Sequence, residues 1–277
     1  MATLQEKGAA FRALHHRSDA FILANAWDAG STRILTAAGF AAIATTSAGY
    51  AFSLGRQDNT VGRAGILQNA ADIVAATDLP VSADLENGFG HSANAAAETI
   101  RQAAAIGLVG GSIEDSTYDK TDPLYGIEHA ADRIRAAVET ARAQPFPFVL
   151  TARAENFLVG RPNLADAIKR LQAYQDAGAD VLYAPGLTRE EDIRALVQSV
   201  DRPVNVVMGL MNSTLDLATL SKIGVKRISV GSALARLAYG ALQDAAREMM
   251  DRGTFGYADR AAPYAALSAL FDTKRGN

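Results

Sequence analysis

Along this chain, short unbroken apolar runs alternate with alanine-rich stretches of helical period. The runs cover residues 20–24, 41–45, 80–84, 111–114, 147–152, 180–183, 203–207 and 227–230. Continuous rather than alternating polarity is the pattern of parallel strands covered on both faces. Helices are expected between them over residues 31–38, 63–77, 92–105, 128–143, 163–177, 189–200 and 213–223. Gly39, Gly107, Gly178 and Gly224 each stand between a helix and the next strand, where a left-handed C-terminal cap favours glycine. Eight such alternations predict an α/β fold, a (β/α)8 TIM-type barrel over about residues 18–240, with an open doubly wound sheet as the runner-up. A long helix follows over 232–252, then a break at Gly253-Thr254, then one more helix over 257–271. The chain reads as one domain over residues 1–277, whose tail from about 241 to 277 exceeds what a barrel needs and is expected to pack on a neighbouring subunit.

Composition narrows the function. Of 277 residues 49% are hydrophobic and 21% charged, the usual balance of a globular protein. The absence of cysteine excludes disulfides, thiolate metal sites and a cysteine nucleophile. A net charge of -3 gives no reason to expect nucleic acid. No apolar run approaches the ~20 residues of a membrane span, and residues 1–17 are too polar for a secretory signal. A cytoplasmic enzyme without a membrane or nucleic-acid partner is the expectation.

A barrel places its chemistry at the carboxyl ends of its strands. Those ends carry Asn25-Ala26-Trp27-Asp28, then Thr45 to Tyr50 followed by Asp58, then Asp84 and Glu86, Glu114 and Asp115, Arg153 and Glu155, Asn205, and Gly231-Ser232. Asp84, Glu86, Glu114 and Asp58 form a candidate metal cluster. Hard oxygen ligands followed by the glycine-rich loop Asn87-Gly88-Phe89-Gly90 suit Mg²⁺, held directly by one or two carboxylates and through water by the others. Helix capping is the competing role for such acids. Ser47 and Gly49 offer a hydroxyl and backbone N–H groups to a carboxylate, or else make a tight turn. Trp27 is a candidate pocket wall, with the core as its alternative place. His15 and His16 are expected to be solvated on an N-terminal helix, and the four histidines make no zinc pattern.

These residues resemble the isocitrate lyase/phosphoenolpyruvate mutase superfamily. The resemblance rests on Thr45-Thr46-Ser47-Ala48-Gly49, Asp58, the run Ala83 to Gly90, Ser112-Ile113-Glu114-Asp115, Ala152-Arg153 and Asn205, in family order over residues 10 to 250. It implies a barrel whose C-terminal helix is exchanged within a homodimer or homotetramer. It also implies Mg²⁺, or Mn²⁺, chelated by a 2-oxo or 2-hydroxy acid. By position Asp84 resembles the direct ligand, and Asp58, Glu86 and Glu114 its water-mediated shell. Ser47, Ala48, Gly49, Arg153 and Asn205 resemble carboxylate and oxyanion binders.

The loop after the fourth strand departs from the lyases. They carry a cysteine acid there, whereas this chain reads Ser116-Thr117-Tyr118-Asp119-Lys120-Thr121-Asp122-Pro123. Lys120-Thr121 is closer to phosphoenolpyruvate mutase, but Asp122 replaces that enzyme's asparagine and would repel a transferring phosphoryl group. The leading expectation is a Mg²⁺-dependent carbon–carbon lyase acting through an enolate. Arg153 and Glu114 serve the chemistry, and the proton donor is left open among Tyr118, Lys120 and a metal-bound water. Phosphonopyruvate-type phosphorus–carbon cleavage and a non-catalytic 2-oxo-acid sensor are the alternatives.

Overall fold

The computed structural model describes residues 2–211 and 213–272. Eight parallel strands close a barrel in chain order: β1 (Phe21–Ala26), β2 (Ile43–Thr45), β3 (Val81–Asp84), β4 (Gly110–Glu114), β5 (Val149–Arg153), β6 (Val181–Tyr183), β7 (Val204–Val207) and β8 (Arg227–Ser229). β8 pairs back to β1. After α1 (Leu4–Leu14), the outer helices are α2 (Ala29–Ala37), α4 (Arg63–Ala75), α5 (Ala93–Ala105), α6 (Ile127–Arg142), α7 (Leu164–Asp176), α8 (Glu190–Gln198) and α9 (Leu217–Ile223). A short α3 (Ser47–Ser53) follows β2, and α10 (Ala233–Arg252) and α11 (Tyr264–Phe271) follow β8. This is the (β/α)8 barrel that the alternating pattern predicts.

Local chemistry sets the helix ends. Asp28, Thr46, Ser92, Asn163 and Asp216 each accept a hydrogen bond from the backbone N–H three residues on, satisfying a donor that the first turn leaves free. Gly39, Gly107, Gly178 and Gly224 take φ of 88°, 94°, 99° and 105°, the left-handed geometry of a helix stop.

The outer strand faces carry Ile43, Ile113, Leu150, Leu182 and Ile228 under helical Ile100, Ile134 and Leu171. The lower barrel interior holds Phe21, Leu23, Ala44, Val149 and Val181, stoppered by Phe11 from α1. Gly110 makes room for that stopper, since a Cβ there would lie 2.7 Å from the Phe11 ring. Truncating a fully buried phenylalanine costs ~3–5 kcal/mol, so Phe11 is a principal anchor of α1. Above this plug the interior turns polar, with Ser82, Thr151, Asn205 and Arg227 all buried.

Three expectations are corrected. His15 is 3% exposed rather than solvated, because it follows α1 into the barrel base, edge-on to Phe11 and Phe21. The 213–223 helix starts only at Leu217, since Asp216 caps it. The 257–271 helix is a 3-10 turn over Gly256–Arg260 followed by α11, with Pro263 immediately before it. Pro263 has no N–H to continue a ladder. The sequence pattern does not predict α3, whose seven residues are too few to show a period.

The tail folds onto its own chain. Arg33 Nη1 on α2 donates to the Phe271 carbonyl at 3.4 Å. Leu237, Leu242, Met250, Phe255 and Tyr264 are left exposed. No helix among the described residues is long and apolar enough to cross a membrane.

Candidate active site and metal centre

Arg153, the last residue of β5, is the hub of the site. Its Nη1 donates to Asp84 Oδ1 at 2.9 Å, its Nη2 lies 3.1 Å from Glu114 Oε2, and its Nε donates to Glu155 Oε1 at 2.9 Å. Strand register brings these together: β4 lies between β3 and β5, with Asp84 beside Ser112 and Glu114 beside Arg153. Asp84 is held further by the Ser47 hydroxyl at 2.9 Å, while its own N–H donates to Thr45 Oγ1 at 3.0 Å. Asp58 stands close enough to Ser47 and Asp84 to feel both, and burial, then Asp84, raise its pKa. Burial raises Glu114 well above the carboxylate range, with Glu155 adding to it and Arg153 opposing.

Glu86 is 3% exposed, has φ of +51° and leaves Oε1 without a partner. Burial, Asp84 and Asp58 push its pKa up to about 8. The loop that carries it is clamped by two arginines absent from the sequence reading. Arg133 of α6, 1% exposed, donates to the carbonyls of Asn87 and Gly90, and its guanidinium lies over the Tyr125 ring at 4.4 Å. Arg63 of α4 donates to the Gly88 carbonyl at 3.2 Å. Arg133 was detectable: a charge sharing the buried face of Ala130, Ile134 and Ala137 is out of place on an amphipathic helix. Asp115, which the sequence grouped with the strand-end acids, points away into a structural network. It binds Arg170 at 3.0 Å, the Tyr174 hydroxyl at 2.6 Å and the Glu155 N–H at 2.8 Å, and so fixes the backbone beyond Arg153.

The loop after β4 is a flap. Thr117 N donates to the Pro123 carbonyl at 2.9 Å, and Ser116 pairs with Leu124 as an antiparallel bridge. At its tip Tyr118, with φ of +62°, turns its hydroxyl inward to accept the Asn87 N–H at 3.1 Å. The residue is 39% exposed, but its hydroxyl end is withdrawn from water, and this, then the facing Glu114, raises the phenol pKa, so it stays protonated. Lys120 and Asp122 are exposed.

A cavity of about 820 Å³ opens at this end of the barrel. Ser47, Ala48, Asp58, Asp84, Glu114, Tyr118, Lys120, Arg153 and Asn205 line it, so the fold gathers most of the site residues expected from sequence. Trp27, Gly49 and Glu86 do not line it. Glu86 lies next to Asp84, its N–H donating to Asp84 Oδ1 at 3.4 Å. Gly49 is a packing residue: a Cβ there would lie 2.6 Å from Thr46 Cγ2 and 3.1 Å from Trp27 Cβ, and its N–H is engaged by Thr46 Oγ1. Trp27 is half-buried beside Gly49 and not on the cavity wall, its carbonyl accepting from Asn69 Nδ2 at 2.8 Å. The Gly231 amide is engaged as well, donating to Asn25 Oδ1 at 3.0 Å.

The donor set fits a hydrated divalent cation. Asp58, Asp84, Glu86, Glu114 and Glu155 surround one guanidinium, and Glu86 Oε1 is orphaned and buried. Among the described residues no three acids or imidazoles stand close enough to cage an ion alone. An all-oxygen set in which water completes the shell is the preference of Mg²⁺.

Acids, an arginine and a flap at the carboxyl ends of closed parallel strands make this the layout of a (β/α)8-barrel enzyme. The chain belongs to the phosphoenolpyruvate phosphomutase family, whose model it matches over residues 11–250. It is 33% identical to the 2-methylisocitrate lyase of Salmonella typhimurium over 212 residues, 73% of this chain and 70% of that one. A solved structure of a candidate lyase/mutase from Burkholderia cenocepacia J2315 superposes with a TM-score of 0.96 at 56% identity, covering 97% of each chain. A phosphonopyruvate hydrolase solved with oxalate and Mg²⁺ superposes with a TM-score of 0.86 at 26% identity, covering 97% of this chain and 96% of that one.

Proposed function

We propose that the protein is a Mg²⁺-dependent lyase that breaks a carbon–carbon bond next to a 2-oxo or 2-hydroxy carboxylate. The observation that carries this reading is the surplus of carboxylates around Arg153, with the orphaned Glu86 oxygen among them. The lyase relatives and the oxalate and Mg²⁺ of the hydrolase complex support it. Asp84 would hold the ion directly, and Asp58, Glu86 and Glu114 through water; Mn²⁺ suits the same oxygen donors. The bound ion supplies Lewis-acid polarisation of the substrate's carboxylate and neighbouring oxygen.

The chain's own residues do the rest. Ser47, Ala48 and Asn205 line the wall that orients the substrate. Arg153 offers fixed positive charge where enolate charge develops as the bond breaks. Tyr118 holds a proton at its hydroxyl inside the flap, where it can be delivered to the carbanion carbon, and Lys120 stands at the rim. Closure of the flap would exclude water from that step.

The test is a screen of small 2-oxo, 2-hydroxy and phosphono acids with and without Mg²⁺. Carbon–carbon cleavage that disappears on chelation is the expected result. Phosphate release from phosphonopyruvate would establish phosphorus–carbon chemistry instead, a reading favoured by Lys120-Thr121 and the hydrolase likeness. Thermal stabilisation without turnover across the panel would mark a sensor. The exposed apolar side chains of the tail, Leu237, Leu242, Met250, Phe255 and Tyr264, support a homo-oligomer joined through the C-terminal helices. A monomer in sedimentation would overturn that.

A further inference from the structure

The cavity is electrically divided. Its β3–β5 side carries the acids and Arg153. Its β6–β8 side carries Tyr183, Asn205, Ser229 and Arg227, with no acid among them. Arg227 opens β8, points into the barrel and is 4% exposed. Its Nε donates to Asn205 Oδ1 at 2.9 Å and its Nη2 to Thr151 Oγ1 at 2.9 Å. Its Nη1 lies 3.3 Å from His15 Nε2. His15 Nδ1 faces the Phe11 carbonyl at 2.9 Å, and a carbonyl can only accept. The ring proton is therefore on Nδ1, and Nε2 is the acceptor for Arg227.

All three partners are neutral, and no carboxylate pairs with Arg227 among the described residues. Arg153 and Arg170 are answered by acids, while Arg133, like Arg227, has only neutral partners, two carbonyls and a ring face, but does not line the cavity. A guanidinium taken out of water with no anion beside it is costly to bury. A guanidinium has five N–H donors, and the three partners leave two for a further acceptor. Asn205 is oriented by the same network, its Nδ2 donating to Ser229 Oγ at 3.0 Å.

We infer that Arg227 is the missing half of an ion pair completed by the ligand: with Asn205 and Ser229 it forms a second anion subsite, and the substrate is a dicarboxylate whose distal carboxylate lies on the β7–β8 side. This rests on the reading that the β3–β5 side takes a metal-bound 2-oxo or 2-hydroxy carboxylate. A monocarboxylate would leave the cation unanswered.

The experiment compares calorimetric affinities, with Mg²⁺ present, for oxalate, pyruvate and the 2-oxo dicarboxylates oxaloacetate and 2-oxoglutarate. The wild type should bind at least one dicarboxylate about tenfold more tightly than pyruvate. Arg227→Met should remove that preference and leave oxalate affinity within about twofold. Asn205→Asp keeps the shape and places a carboxylate on Arg227 Nε, so it should remove the preference by neutralising the cation in a folded protein. Thermal melts confirm folding of each variant. Oxalate binding without any dicarboxylate preference in the wild type, or a preference that survives in either variant, would overturn the subsite alone. Wild-type protein that binds none of the four acids would overturn the oxo-acid reading together with it.

Discussion

Arg153 and Asp84, 69 residues apart in the chain, meet at 2.9 Å across the intervening strand β4. Both are largely buried, at 13% and 21% side-chain exposure. Burying such a pair gains little net stability, because desolvation offsets the attraction. Its value is preorganisation: the guanidinium fixes three carboxylates before any ligand arrives. Removing one partner then strands charge.

Asp84→Asn should therefore abolish metal-dependent turnover. At least a hundredfold fall is expected from the loss of one charge-stabilising element of this kind. The fold should hold, because the amide oxygen can still accept from Arg153 while the amide NH2 donates to the Ser47 hydroxyl in place of the bond it received. Turnover and Mg²⁺ titration of the purified variant check this. Full Mg²⁺-dependent activity would remove Asp84 from the site.

Arg133→Met tests the clamp on the glycine-rich loop. Two carbonyls, of Asn87 and Gly90, lose their donor in a buried setting. A loss of ~2–4 kcal/mol is expected from unsatisfied polar groups. Mg²⁺ affinity should fall with it, since Glu86 rides on the same loop. Denaturant unfolding and metal titration read the two effects separately. An unchanged unfolding midpoint would mean that the loop is held by other means.

Tyr118→Phe removes the flap hydroxyl and little else. If the phenol delivers the proton, turnover should drop about a hundredfold, within the usual range for a general acid. Substrate affinity should change far less, because the ring remains. Lys120→Met, at the exposed rim, should mainly raise KM. A Tyr118→Phe protein with wild-type kcat would move the proton donor elsewhere.

His15 gives a pH dependence of stability. Burial, with the nearby Arg227 adding to it, pushes its pKa down to about 3 from the ordinary 6.5. In that window the unfolded chain binds a proton that the folded chain refuses. Stability from this group is therefore full above pH 6.5 and is lost as pH falls towards 3, by at most ~1.4 kcal/mol per unit. His15→Gln should flatten that part of the curve. Urea unfolding of both proteins between pH 4 and 7 measures the difference, and parallel curves would contradict it.

The apolar runs, the glycine stops and the acidic strand ends determined by themselves that eight strands alternate with helices and that Asp58, Asp84, Glu114 and Arg153 belong to one mouth of the ring. Those features are local and periodic, so the order of residues along the chain carries them. The place of His15 could not be read that way, because a helix that stoppers a barrel looks like any amphipathic helix until the barrel closes over it. Nor could the difference between Asp84 and Asp115, both at strand ends: side-chain direction sends one to the cavity and the other to Arg170 and Tyr174. Tertiary structure alone paired Arg153 with three acids and left Arg227 with none, because a buried charge is answered by whatever side chains the closed barrel sets around it, and those come from strands far apart in sequence.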